Sequence, residues 1–154
     1  MSRFYRKGKT KFWVLPAVAN PQVGPTRAEW TAGTRLTDIA AVSGFNLNDS
    51  TVATPDLDSK FVTSVAGDTT VSDPSITFWD DDEDTTNRDV LAKGTRQFIA
   101  YAPYGDVPGK RCELWDITSL GVNDQIDLSA AAQFMVGFSV NEEPVQDAVI
   151  PAAA

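Results

Sequence analysis

Carboxylates are the side chains of this sequence that are best placed to do chemistry. Five of them are adjacent, Asp80, Asp81, Asp82, Glu83 and Asp84, and calcium binds oxygen ligands of this kind. Along an extended backbone, five neighbouring side chains cannot all point at one ion. The run also lacks the alternation and the glycine of a helix-loop-helix calcium site. We interpret it as a solvated acidic loop that caps a helix, with a calcium-binding β-module as the alternative.

A second set of carboxylates could pair across strands. Glu113, Asp116, Asp124 and Asp127 are candidates for the acid–base pair of a glycosidase, but their spacing gives no support, and chance pairs are expected among 21 acidic residues. The chain has no His and a single Cys112, which excludes an internal disulfide, a Cys/His zinc site and His-dependent catalytic groups. We predict no catalytic activity, no cofactor and no metal site, and Cys112 as a small buried hydrophobe.

Four tryptophans offer a third kind of site, a carbohydrate-binding platform. They are Trp13, Trp30, Trp79 and Trp115. Large aromatic side chains of a β-sandwich more often serve as core residues or as anchors of a subunit interface. We favour core or interface and take Trp13 and Trp30 as interface candidates. A carbohydrate-binding β-sandwich module is the alternative.

Charge divides the chain into a basic arm and an acidic body. Arg3, Arg6, Lys7, Lys9 and Lys11 place five of the 13 basic residues in the first eleven positions. The remaining eight basic residues face 21 acidic ones, a net charge of −13. Such a body repels a nucleic-acid backbone, so only the arm is a candidate for contact with DNA. The apolar run after the arm, FWVLPAVA, is short and interrupted by proline, so we expect neither signal-peptide cleavage nor a membrane span.

The elements that carry these residues are mainly strands. The alternating residues 76–79 predict a strand that stops at the acidic run. Threonine N-caps and a C-terminal glycine then predict one helix at about 85–93. Its apolar residues Val90 and Leu91 are too few to anchor a helical bundle, so the helix must lie against a sheet. Further strands are predicted at 11–18, 36–47, 96–102, 110–118 and 133–141, with helix as the alternative for 36–42.

Short strands separated by turns predict one domain, an all-β sandwich or barrel with one short flanking α-helix. We divide it into a basic N-terminal arm (1–10), a β-sandwich (11–141) and a C-terminal tail (142–154), where the pattern dissolves into Pro, Ala and scattered Val. Residues 44–68 are rich in Thr, Ser, Asp and Val. A strand that buries so little needs either a partner chain or solvent on one face.

The order of these features resembles a known family, the major tail tube proteins of long-tailed bacteriophages. GFNLNDSTVATPDLDSKF is similar to the family's strand and long loop, and SITFWDDDEDTTNRDVLAKG to its strand followed by the flanking helix. KRCELWDITSLGVND and QFMVGFSVN are similar to its closing strands. The resemblance is one of layout over most of residues 44–141. It implies the β-sandwich of the tail tube type.

The resemblance also implies a function. It predicts a structural protein of the virion, made in the host cytoplasm, that assembles into stacked hexameric rings and conducts DNA without binding it specifically. Its implied partners are further copies of itself, the tape measure protein, and the tail terminator and distal tail proteins. An acidic wall suits a channel along which DNA must slide. The lumen candidates are Asp49, Asp56, Asp58, Glu113, Asp124 and Asp127, and the interface candidates are Arg3, Phe4, Tyr5, Arg6, Lys7, Lys9, Trp13 and Trp30.

Overall fold

The computed structural model describes residues 3–152, which contain ten strands and two short helices. The helices are α1 (Arg27–Ala32) and α2 (Thr86–Val90). The strands are β1 (Lys11–Leu15), β2 (Thr34–Arg35), β3 (Ile39–Ser43), β4 (Leu47–Thr54), β5 (Thr63–Val71), β6 (Ser75–Trp79), β7 (Arg96–Ala102), β8 (Arg111–Gln125), β9 (Gln133–Val140) and β10 (Val145–Val149). The predicted all-β class is confirmed. No helix among residues 3–152 is long and apolar enough to cross a membrane.

Eight of the strands form one antiparallel sheet. Its order is β2-β1-β7-β8-β9-β6-β3, and β10 pairs with the first residues of β8 beside β9. Side chains on one face of this sheet form a single core cluster, to which β1, β6, β7, β8 and β9 all contribute. From these strands it contains Phe12, Val14, Ile76, Phe78, Ile99, Trp115, Ile117, Phe134, Val136 and Phe138. Because residues from the whole width of the sheet meet in one cluster, the sheet must curl around it.

The opposite face of the sheet is covered locally by α1. Along β1 the side chains alternate as the sequence predicts, so that Val14 joins the first cluster while Leu15 joins a second one. The second cluster contains Trp30 of α1 and the buried Ala148 and Ile150 at the C-terminal end. Apolar residues on both faces of β1 are therefore explained by cover on both faces.

Helix α2 is held against the sheet by two apolar side chains at its end, Val90 and Leu91, and by two polar side chains of the sheet. Leu91, just past its last residue, is fully buried in the first cluster. The carbonyl of Leu91 accepts a 2.8 Å hydrogen bond from the Ser119 hydroxyl, and that of Val90 accepts one of the same length from the Gln97 amide. These contacts satisfy carbonyls that a helix end leaves without partners. The prediction that α2 lies against a sheet through Val90 and Leu91 is confirmed.

Strands β4 and β5 form a separate two-stranded hairpin, Leu47–Val71, which we call the hairpin. The residues of its two strands are exposed except for Leu47, Gly67 and Val71, which are half-buried. The Val71 side chain packs against the first cluster at the hairpin base. The interpretation of this stretch as one that buries little is confirmed.

The helix count predicted from the sequence was wrong. Residues 3–152 contain two helices, and α2 is shorter than the expected 85–93 because Leu91 already leaves helical geometry. The missed helix α1 begins with a capping box, in which the Thr26 hydroxyl accepts the Glu29 N–H (3.2 Å) and the Glu29 carboxylate accepts the Thr26 N–H (2.9 Å). Threonine three residues before glutamate, directly after Pro25, was the signal available in the sequence.

The prediction that the pattern dissolves after residue 142 also needs correction. Residues 145–149 form β10, which pairs with β8 and brings Ala148 and Ile150 into the second cluster. Gly24 makes room for this strand: it has a φ of 127°, and a Cβ there would lie 2.6 Å from the carbonyl oxygen of Val149. The sequence does not predict this strand because a segment of five residues that buries so few side chains resembles a polar tail. The last two residues of the predicted tail lie outside the described range.

Candidate functional site

The tip of the hairpin, residues 55–62, is an ordered loop that presents apolar side chains to solvent. The Asp56 carboxylate accepts the Asp58 N–H (3.0 Å) and the Ser59 hydroxyl accepts the Phe61 N–H (3.1 Å). These local hydrogen bonds fix the loop without using its apolar side chains. Leu57 is fully exposed and Phe61 is 75% exposed. An ordered loop that exposes two large apolar side chains to water is typical of a surface that contacts another molecule.

The exposed apolar surface continues down the hairpin. Val52 and Val65 face each other across the two strands and are both about half exposed, at 54% each. Val62, at the end of the tip, is exposed to a similar extent. Cross-strand pairs of this kind stabilise the hairpin itself only slightly. They therefore leave apolar area available for a partner.

The basic arm is folded back onto its own chain at two aromatic contacts. Arg6 donates a hydrogen bond to the Tyr101 hydroxyl, and the rings of Phe4 and Tyr104 lie 5.4 Å apart. The Lys9 ammonium sits 5.1 Å from the centre of the Phe4 ring. None of the four basic arm residues, nor Lys11 directly after the arm, forms an ion pair with a carboxylate among residues 3–152. The arm thus keeps its positive charge available.

The acidic run uses its carboxylates to hold the backbone. The Asp81 carboxylate accepts the N–H groups of Glu83 (2.9 Å) and Asp84 (3.3 Å). The Asp84 carboxylate accepts the N–H of Thr86 (3.0 Å) at the start of α2, and the hydrogen bonds from Thr86 lower the pKa of Asp84. Within residues 3–152, no group of three or more acidic or thiol side chains converges in a geometry that could hold a metal ion. This arrangement is that of an acidic capping loop.

The carboxylates of β8 lie on opposite faces of the sheet. Glu113 is on the side of Trp115 and the first cluster, whereas Asp116 shares the side of Leu114 and the second cluster. Glu113 and Asp116 are three positions apart in the strand, so their side chains point to opposite faces of the sheet. Burial raises the pKa of Glu113. A glycosidase pair formed by these two residues is ruled out.

Asp116 instead ties three strands together. Its carboxylate accepts two hydrogen bonds from Arg96 of β7 (3.2 and 2.8 Å) and one from the Asn141 amide just after β9 (3.2 Å). The hydrogen bonds from Arg96 are the main cause of a lowered pKa of Asp116. The carboxylate side chain is 7% exposed, and the Arg96 side chain is 61% exposed. These hydrogen bonds hold β7, β8 and the end of β9 together.

Asp124 and Asp127 lie at the far end of β8 and in the loop after it. Asp124 forms an ion pair with Arg88 of α2, whose guanidinium also lies 3.3 Å from Asp80 and over the Phe134 ring. Asp127 accepts hydrogen bonds from the N–H (2.9 Å) and hydroxyl (2.8 Å) of Ser129. Both carboxylates are engaged in local structure. They are not arranged as a catalytic pair.

One known protein family matches nearly the whole chain. The sequence model of the family described as "Phage tail tube protein" matches residues 1–153. This chain belongs to the phage tail tube protein family. Proteins of this family are structural rather than catalytic, so this tail tube protein is a structural protein of the virion tail and not an enzyme. A search of curated protein sequences found no match.

Solved structures similar to this tail tube protein come from phage-like particles. One is a chain described as "Virion of native gene transfer agent (GTA) particle", with 14% identity, a TM-score of 0.50, and coverage of 77% of this chain and 91% of that one. Another is described as "Tail of empty GTA particle computed with helical refinement, C6 symmetry", with 13% identity, a TM-score of 0.47, and coverage of 94% and 95%. At this identity the first similarity shows a shared fold.

The predicted interface residues of the tail tube protein differ in exposure. Tyr5 is 73% exposed, and the described arm residues Arg3 to Lys9 are exposed as a group. Trp30 is only 3% exposed and packs against Trp13 with the two rings tilted by 41° and their centres 4.7 Å apart. Trp30 therefore has little surface to offer a second copy, while Trp13 is half-buried. Contact with a second copy stays a prediction for both groups.

The predicted lumen residues lie in two parts of the fold, the hairpin and the stretch from β8 into its following loop. Asp49 lies in β4, and Asp56 and Asp58 lie at the hairpin tip. The other three lie along β8 and its following loop, at Glu113, Asp124 and Asp127. Their place in a lumen stays a prediction.

The sequence analysis missed the apolar residues that the fold exposes. Besides Leu57 and Phe61, the loop between β8 and β9 exposes Ile126 and Leu128 almost completely. Leu57, Ile126 and Leu128 each have an Asp neighbour in the sequence, whereas Phe61 lies between Lys60 and Val62. A single large apolar residue inside a polar loop was the available signal, because a loop has no core to receive it.

Proposed function

We propose that this tail tube protein assembles with copies of itself into rings, expected to be hexameric, which stack to form the tube of the tail. The hairpin is the observation that carries the proposal. It leaves the body of the chain and exposes the Val52–Val65 pair together with Leu57 and Phe61. A monomer gains nothing from such exposure, whereas a contact between copies buries the surface and stabilises the assembly.

Charge supports the second half of the proposal, that DNA passes through the tube. The chain carries a net charge of −8, and the part beyond residue 11 carries −13. A lumen lined by carboxylates repels the phosphate backbone and keeps DNA from sticking to the wall. The wall candidates are Asp49, Asp124 and Asp127, together with the acidic residues of the hairpin tip and Glu113. The tape measure protein and the tail terminator and distal tail proteins are the further partners we propose.

Self-assembly of the purified chain tests the proposal. Size-exclusion chromatography with light scattering should show species larger than the 16.7 kDa monomer, and negative-stain electron microscopy should show rings or tubes. Image averaging of end views then gives the ring symmetry. A species that stays monomeric at high concentration, without rings or tubes, would contradict the proposal. A reconstructed lumen of positive potential would contradict the sliding argument alone.

A further inference from the structure

A groove of about 810 Å³ lies between the basic arm, the edge strand β3 and the base of the hairpin. Its apolar lining includes Phe12, Ile39, Val42, Phe45 and Tyr101. The rings of Phe12 and Tyr101 lie 5.0 Å apart, and those of Phe12 and Phe45 lie 6.0 Å apart. Aromatic rings in this arrangement provide a rigid surface at low entropic cost.

The groove has two further features of a docking site. Its charged lining residues are Arg6, Lys7 and Arg111, with Glu113 as the single carboxylate. Strand β3 is the last strand of its sheet, so its second edge has no strand partner among residues 3–152. A free strand edge beside an apolar floor is a surface to which another chain segment can add.

The hairpin tip is complementary to this groove. It carries the carboxylates of Asp56 and Asp58 and one cation, Lys60, whereas the groove has three cations and one carboxylate. Leu57 lies between the two aspartates in the sequence, and Phe61 follows three residues after Asp58. Both side chains are exposed, and the aromatic floor of the groove would cover them. Opposite charge around an apolar centre favours association and fixes its orientation.

The tip cannot fill the groove of its own chain. Phe45 and Asn46 of the groove directly precede β4, so the groove lies at the hairpin base. Eight residues of β4 at about 3.3 Å each place the tip roughly 26 Å away. An occupant from this sequence must therefore come from another copy.

We propose that the hairpin tip of one copy seats in the groove of a second copy. Leu57 and Phe61 lie on the aromatic floor, and the carboxylates of Asp56 and Asp58 face Arg6 and Arg111. The inference rests on the proposed self-assembly and names its contact. Base and tip are different surfaces, so the contact is head-to-tail, the type that builds rings and stacks. It assigns Asp56, Asp58 and Glu113 to a contact between copies rather than to the lumen wall.

A charge exchange tests the pairing. Asp58 and Arg111 suit it because neither side chain has a hydrogen bond or ion pair among residues 3–152. Asp58→Lys and Arg111→Glu should each raise the concentration needed for assembly about ten-fold, the effect of placing like charges together. The double variant, which restores opposite charge, should return close to wild type. Asp82→Lys, an equal charge change in the acidic run, is the matched control and should assemble normally.

Cross-linking provides the second readout. In the double variant Leu57→Cys, Val42→Cys, a short thiol-specific cross-linker should give a ladder of covalent oligomers. Each single variant should not, and neither should wild type, because its Cys112 is fully buried. Tubes without a ladder, or charge variants that do not rescue one another, would overturn the contact and leave self-assembly standing. A wild-type chain that stays monomeric would overturn both.

Discussion

Excision of the hairpin should separate assembly from folding. Replacing residues 49–69 by Asn-Gly keeps the pairs Leu47–Val71 and Asn48–Thr70 at the hairpin base and closes them with a two-residue turn that suits antiparallel strands. The half-buried Leu47 and Val71 stay in place. The removed segment contains the exposed apolar residues Leu57 and Phe61.

The structure sets the expected magnitude. No residue of either core cluster lies in 49–69, so the excision creates no cavity. The hydrogen bonds that are lost lie within the removed unit. The chain between the hairpin ends becomes roughly four-fold shorter, which favours the folded state by about 1.2 kcal/mol at roughly 0.6 kcal/mol per halving. The lost cross-strand pairs of the hairpin offset part of this gain, so we expect the free energy of unfolding to stay within about 1 kcal/mol of wild type.

Urea unfolding of dilute protein measures the stability, and sedimentation velocity with negative-stain microscopy measures assembly. The excised chain should fold and remain monomeric. Leu91→Ala is the opposite control: Leu91 is fully buried, so its loss should lower the free energy of unfolding by about 3 kcal/mol while the hairpin and assembly remain. Tubes built by the excised chain, or a stability loss as large as that of Leu91→Ala, would refute the reasoning.

Three further predictions concern the acidic residues and the arm. Asp116→Ala should cost about 2 kcal/mol at pH 7 in urea unfolding, through the lost bonds to Arg96 and Asn141. Because the folded pKa of Asp116 is lowered, this difference should be complete above about pH 4 and vanish as the pH falls through that pKa; an equal difference at pH 2 would contradict it. Calcium should leave the melting temperature unchanged, and micromolar binding by calorimetry would favour a role of Asp80–Asp84 as a calcium site. Deleting residues 2–10 should leave the monomer folded but make assembly fail or become salt-sensitive, whereas normal tubes at ordinary salt would reopen contact between arm and DNA.

Strands with strong alternation could be predicted from the sequence. Phe134, Val136 and Phe138 recur at every second position, and all three are buried in β9 as expected. In β1 the apolar residues on both faces predicted cover on both faces. These signals work because a strand that crosses a core must place its side chains alternately.

Elements whose burial depends on distant segments could not be predicted in the same way. Strand β10 is recognisable only beside β8, where Ala148 pairs with Cys112. Helix α1 has one buried side chain, Trp30, so it shows no apolar period. Its capping box was the one local signal. The groove escaped the sequence analysis because Phe12, Phe45 and Tyr101 meet only after the sheet has curled.

The two ends of the curled sheet differ in a way that gives the chain a direction for assembly. The end strand β2 has two residues and offers almost no edge for pairing, whereas the end strand β3 has five and borders the groove. A short edge protects a sheet from unwanted strand addition. If both ends were long and free, copies could join edge to edge in either order. Because β2 is too short to pair with another strand and β3 lies beside the groove, a strand of a second copy can add only at β3. Each copy is then extended on one side only, as a head-to-tail contact requires.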